Sequence, residues 1–183
     1  MRGRDGRGPR NLAVALLLGV VAVGAIALLR YLPTGVQGVE VGDRAPAYSA
    51  PDLSGQEVSF KDHLNEVVLV NVWTTWCGPC RVEMPSMQSS YERFRGRGFT
   101  VLAVSVDAGL GHRQEVSEFV SEHGLGFLVL LDPENRITEM LRTFVVPETL
   151  VLNREGRIVK RVIGAADWDS PVNRTLIERL LRM

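Results

Sequence analysis

Cys77 and Cys80 are the only cysteines in the 183-residue chain, and they stand three positions apart. Three kinds of chemistry use that spacing. A structural bridge closing so short a loop stabilises little compared with one closing a long loop. Half of a zinc site needs two further Cys or His ligands. Here no third Cys exists and His63, His112 and His123 stand singly along the chain, so no metal site is expected. The remaining use is a pair that works by cycling between dithiol and disulfide, which suits an oxidising compartment.

Such a cycle needs one thiol held as thiolate, the form that attacks a disulfide sulfur. The flanking residues supply the means. Val67-Val68-Leu69-Val70-Asn71-Val72 is the β-branched run of a strand buried on both faces. After the pair, Met84, Met87, Tyr91 and Phe94 recur at helical spacing, with Gly96 or Gly98 to end the helix and a kink expected at Pro85. Cys77 therefore falls at a helix N-terminus, where unpaired N–H groups and the dipole favour negative charge. Pro79 suits the first turn because it has no N–H to leave unpaired. Cys80 lies one turn in. These positions make Cys77 the nucleophile and Cys80 the resolving thiol.

The other elements must hold that junction in place. A Gly-centred turn, Leu53-Ser54-Gly55-Gln56, predicts a hairpin within 46–60. Phe99 to Val106 and Phe127 to Leu131 read as further strands, with an amphipathic helix around Val116, Phe119 and Val120 between them. Ile137, Met140, Leu141 and Phe144 form an i, i+3, i+4, i+7 stripe on a short helix. Thr149 to Leu152 and Arg157 to Ile163, joined by Asn153-Arg154-Glu155-Gly156, read as an antiparallel hairpin. Ser170-Pro171 starts a last helix with Val172, Leu176, Ile177, Leu180 and Leu181 as its apolar side. Strands alternating with helices make this an α/β protein with a mixed central sheet flanked by helices. The 21 basic and 21 acidic side chains cancel, which implies no field toward nucleic acid.

The first residues differ in kind. Arg2, Arg4, Arg7 and Arg10 precede an uncharged apolar run from Leu12 to Leu29. As a helix this run spans about 27 Å, close to the roughly 30 Å hydrocarbon core of a bilayer. Its basic flank keeps the N-terminus in the cytoplasm and sends the remaining chain across. Ala25-Ile26-Ala27 could serve a signal peptidase instead, but the length of the run and Arg30 at its end favour an uncleaved anchor. The expected organisation is a basic cytoplasmic N-terminus (1–11), a transmembrane signal-anchor (12–32), a linker (33–41) and one domain (42–183).

Trp76-Cys77-Gly78-Pro79-Cys80 is the active-site motif of thioredoxins. Asn71-Val72-Trp73-Thr74-Thr75-Trp76-Cys77, with Arg81-Val82-Glu83-Met84-Pro85 after the pair, resembles the membrane-anchored TlpA/ResA branch, and the similarity extends through Gly164-Ala165-Ala166-Asp167-Trp168. The resemblance implies a thioredoxin fold with an N-terminal β-hairpin and a helix–strand insertion. It places a cis proline at Val146-Pro147, facing the cysteines. A substrate groove would then be lined by Trp76, Gly78, Pro79, Val146 and Pro147, with Trp73 packed inside. The buried acid that thioredoxins keep six positions before the first cysteine is here Asn71, and an amide cannot shuttle protons. Glu83 matches an acid of ResA-like proteins and is the candidate for deprotonating Cys80, against the plainer reading of an exposed acid in the first helical turn. Trp168 is expected only to pack.

By this resemblance the chain would be a thiol–disulfide oxidoreductase of the extracytoplasmic face. It would need no cofactor beyond the Cys77–Cys80 couple. Its partners would be exported proteins carrying disulfides and a membrane donor that re-reduces the pair. Apocytochrome c maturation and assembly of oxidase copper sites are the implied pathways, and Pro147-Glu148-Thr149 is similar to the first branch. A Cu(I) carrier and a peroxidase are the alternative functions. A Cu(I) carrier on this fold would use a wider cysteine spacing and a histidine, and a peroxidase a lone cysteine after Pro-x-x-x-Thr; neither arrangement is present.

Overall fold

The β-branched run does form the centre of a sheet. A computed structural model describes residues 14, 16, 18–24 and 39–183, and the chain divides into two units, Met1–Gln37 and Gly38–Met183. In the first unit the described residues are helical. Most of the expected anchor and linker lies outside the described residues. Among those described, no helix is long and apolar enough to cross a membrane.

In the second unit, strands β1 (Ser49–Pro51) and β2 (Glu57–Ser59) form the expected hairpin. The main sheet contains β3 (Val67–Trp73), β4 (Phe99–Ser105), β5 (Leu128–Leu131), β6 (Glu148–Leu152) and β7 (Ile158–Ile163). Its spatial order is β5-β4-β3-β6-β7. The pairs β3–β4 and β4–β5 are parallel, and β3–β6 and β6–β7 antiparallel. Helices α1 (Gly78–Phe94), α2 (His112–Glu122), α3 (Arg136–Leu141) and α4 (Pro171–Leu181) complete it. Without α2 and β5 this is the thioredoxin order of strands and helices, so those two are the helix–strand insertion.

Every residue of β3 is buried, because helices or the hairpin cover both faces of the sheet. Leu69, Trp73, Val101, Ala103 and Val151 face Met84, Met87 and Phe94 of α1 and Ile177 and Leu180 of α4. Val68, Val70, Val72, Leu102 and Leu150 face Ile137 and Leu141 of α3 together with Tyr48 and Phe60. Alternation along the strands thus feeds two apolar layers. Helix α1 continues through Pro85 and gives way to a 3₁₀ turn that Gly98 ends at φ 85°.

Two expectations about apolar faces fail. Helix α3 stops at Leu141 because Arg142 turns left-handed at φ 52°. Phe144 therefore lies beyond the helix, 96% exposed, and Met140 is also exposed. Val172 is exposed as well. It stands five positions before Ile177, about 140° round the helix from the buried face.

The segment before β6 is held by a pair between a part-buried arginine and a buried glutamate. Arg161 of β7 donates from Nε to Glu148 Oε1 at 2.6 Å, and Glu148 is fully buried. The same guanidinium donates to the carbonyls of Val39 (2.6 Å) and Leu141 (3.1 Å).

Candidate active site

Cys77 is the N-cap of α1, and the turn that carries it joins the end of β3 to the helix. Cys77 and Cys80 are joined as a disulfide with their Cα atoms 5.3 Å apart. The backbone N–H of Cys80 donates to Cys77 Sγ at 3.2 Å. In the reduced protein that donor, with the N-terminal end of the helix dipole, favours the Cys77 thiolate. Cys77 is 5% exposed and Cys80 0%. Only the first sulfur is open to a large partner.

The peptide bond Val146–Pro147 is cis, and the Val146 carbonyl oxygen lies 3.6 Å from Cys77 Sγ. A groove of about 340 Å³ opens there, lined by Thr74, Trp76, Val106, Thr143, Phe144, Val145 and Val146 among others. Trp76 (75% exposed), Phe144 and Val145 form its apolar rim, while Gly78 and Pro79 are exposed beside it. The structure brings together the cysteines and Trp76, Gly78, Pro79, Val146 and Pro147, and it buries Trp73. Phe144, expected in the core, belongs to this rim.

Glu83 is no exposed first-turn acid: it is 2% exposed, on the inner face of α1 one turn beyond Cys80. Its Oε1 accepts from Asn71 Nδ2 at 2.7 Å. Its Oε2 accepts from the Ala166 N–H at 3.2 Å and from Trp168 Nε1 at 3.4 Å. Asn71 Nδ2 also donates to Thr149 Oγ1 at 2.9 Å. Burial pushes the Glu83 carboxyl above its ordinary value, and the bonds from Ala166, Asn71 and Trp168 pull partly against that shift. The carboxyl reaches solvent through a crevice of about 250 Å³ lined by Val82, Ser86, Ala165, Ala166 and Asp167.

Asn71 thus sits where a thioredoxin holds its acid, and this chain supplies the carboxylate from the facing helix. Rotating the Asn71 amide by half a turn would point Oδ1, which has no partner, at Glu83. The pair can therefore serve a carboxylate or a carboxylic acid. Sequence reasoning missed Trp168 as a member of this group, because a tryptophan's N–H partner has no sequence signature when it lies 85 positions away. Among the described residues no group of three or more His, Cys, Asp or Glu side chains could hold a metal ion.

Residues 41–161 match the AhpC/TSA family. Over 130 residues, 71% of each chain, the protein is 31% identical to the thiol-disulfide oxidoreductase ResA of Bacillus subtilis. The chain belongs to the ResA-like thiol–disulfide oxidoreductases. A second relative, ResA of Geobacillus thermodenitrificans, is 30% identical over 82% of this chain and 84% of its own. Among solved structures, a protein assigned as the thiol:disulfide interchange protein DsbE from Chlorobium tepidum superposes with a TM-score of 0.71 at 27% identity. That superposition covers 79% of this chain and 99% of the other. The ResA-like chain accordingly has the thioredoxin-like α/β fold and thiol–disulfide oxidoreductase activity.

Proposed function

We propose that this ResA-like protein is a reductant of disulfides in exported proteins, anchored in the cytoplasmic membrane with its catalytic domain on the extracytoplasmic side. The observation that carries the reading is a sulfur pair at a helix N-terminus, its first member slightly exposed and its second fully buried, beside a groove of about 340 Å³. Cys77 thiolate attacks a substrate disulfide and expels one substrate thiolate, which takes up a proton. Cys80, deprotonated with the help of Glu83, then attacks Cys77 Sγ. The Cys77–Cys80 bond forms, the mixed disulfide breaks, and the second substrate thiol leaves. Two electrons pass from the pair to the substrate, and a membrane donor must return them.

Disulfides between the haem-attachment cysteines of apocytochrome c, or between oxidase copper-site cysteines, are the proposed substrates. The Gly78-Pro79 dipeptide, shared with thioredoxins, supports reduction. The peroxidase reading would call for a lone cysteine after a Pro-x-x-x-Thr segment, an arrangement the sequence lacks. The Cu(I)-carrier reading would call for a wider cysteine spacing together with a histidine, and Cys77 and Cys80 stand only three positions apart.

The test of direction is the reduction potential of the Cys77–Cys80 couple in dithiol buffers. A value of about −270 mV or lower is expected for a reductant, and one near about −120 mV would make the protein an oxidant. The anchor rests on the basic flank and the apolar run from Leu12 to Leu29. The full-length protein should stay with membranes through an alkaline carbonate wash, and release into the supernatant would remove the anchor from the proposal.

A further inference from the structure

The turn between Trp73 and Cys77 has to present Trp76 at the groove without help from packing, since that side chain is 75% exposed. Its order comes from the residue before it. Thr75 is gripped from two sides. On one side Asp107, 3% exposed at the end of β4, accepts from the Thr75 N–H (3.1 and 3.0 Å to its two oxygens) and from Thr75 Oγ1 (2.7 Å). Ser105 Oγ donates to the same carboxylate at 2.8 Å. On the other side Arg81 Nε donates to the Thr75 carbonyl at 3.1 Å. The Arg81 guanidinium lies over the Phe119 ring, 5.2 Å from its centre, and Phe119 in turn packs on Trp73 at 5.0 Å.

Phe119 belongs to α2, the inserted helix, and Asp107 leads into it. We infer that Asp107 and Arg81 are positioning residues: with Phe119 of the insertion they clamp Thr75, and so fix Trp76 as a preformed wall of the substrate groove. An exposed indole left free would have to be ordered by each arriving peptide, which weakens binding. Held in advance, it contributes apolar area at once. Thr74 and Val106, the neighbours of Thr75 and Asp107, both line the same groove, so the clamp and the wall are continuous. The inference goes beyond the proposed direction of electron flow and holds for an oxidant as well as a reductant.

Thr75→Val keeps the shape and removes the hydroxyl, whereas Thr75→Ser keeps the hydroxyl. With a cysteine-containing peptide disulfide as substrate, Thr75→Val should raise KM about 10-fold, the scale of one hydrogen bond to a charged group, while kcat falls less than twofold. Thr75→Ser should restore KM, and Arg81→Met should raise it independently. Fluorotryptophan labelling supplies a second readout. The Trp76 resonance should narrow in Thr75→Val as the ring gains freedom, while those of buried Trp73 and Trp168 keep their widths. Unchanged KM with a narrowed line, loss confined to kcat, or a Ser variant as weak as Val would each overturn the clamp. Failure of the reduction-potential test would leave all of these readouts intact.

Discussion

Replacing Cys80 by serine is expected to stop turnover after the first covalent step and to leave the substrate attached through Cys77. Cys80 is fully buried and reaches only the sulfur one helical turn before it, so its role is confined to breaking the mixed disulfide. A serine hydroxyl in that position has no thiolate to offer, and the adduct accumulates. Cys77→Ser removes the one sulfur that a protein substrate can approach. No adduct should form, and exchange should fall to the uncatalysed rate. Non-reducing electrophoresis and intact mass after incubation with a peptide disulfide read both outcomes. Trapping by Cys77→Ser with none by Cys80→Ser would reverse the assigned roles.

The second large effect concerns Glu83. Folding raises its carboxyl above the ordinary 4.5 through burial, so the folded protein holds that proton more tightly than the unfolded chain does. The sign follows. Its contribution to stability is complete below about pH 4.5 and is lost as pH climbs through the raised value. Glu83→Gln has no such titration. Between about pH 4 and pH 8 in urea unfolding, the wild type should lose stability relative to the variant. Activity should move the other way. The base form of Glu83 is the useful one, so the wild-type rate of Cys80 attack should rise with pH through the Glu83 titration. Glu83→Gln should lack that limb and resolve mixed disulfides about 10²-fold more slowly at pH near 8, the low end for a positioned base. Trp168→Phe keeps an aromatic ring at that position but removes one donor to the carboxylate, and should shift the limb to higher pH. Identical pH profiles for Glu83→Gln and wild type would leave the carboxyl with packing alone.

Much of this is legible in the sequence alone. The β-branched run, the cysteine pair and the helical spacing from Met84 to Phe94 are local signals. Each came out as expected, with β3 and α1 meeting at Cys77. Phe144 was misplaced because helical spacing carries no information about where a helix ends, and Arg142 ends this one. Glu83 was ambiguous because an acid near a helix start is ordinarily solvated. Only the approach of Asn71, Ala166 and Trp168 makes it an interior group. The Asp107 grip on Thr75 spans 32 positions, and a lone aspartate after a strand gives no hint of it. What the chain hides is the set of polar contacts between distant segments; what it displays is the apolar periodicity that brings those segments near.

Arg161 ties three pieces of chain to one cation: the Val39 carbonyl, the end of α3 at Leu141, and Glu148 immediately after Pro147. Mechanically, that makes the guanidinium a strain-relief knot. Tension applied to the residues before Val39 is taken up first by β7 through Arg161. It is shared there with the strand that follows the cis proline, instead of peeling the domain open from its first residue. If the segment before Val39 is the proposed membrane leash, the groove keeps its shape under that pull through Arg161.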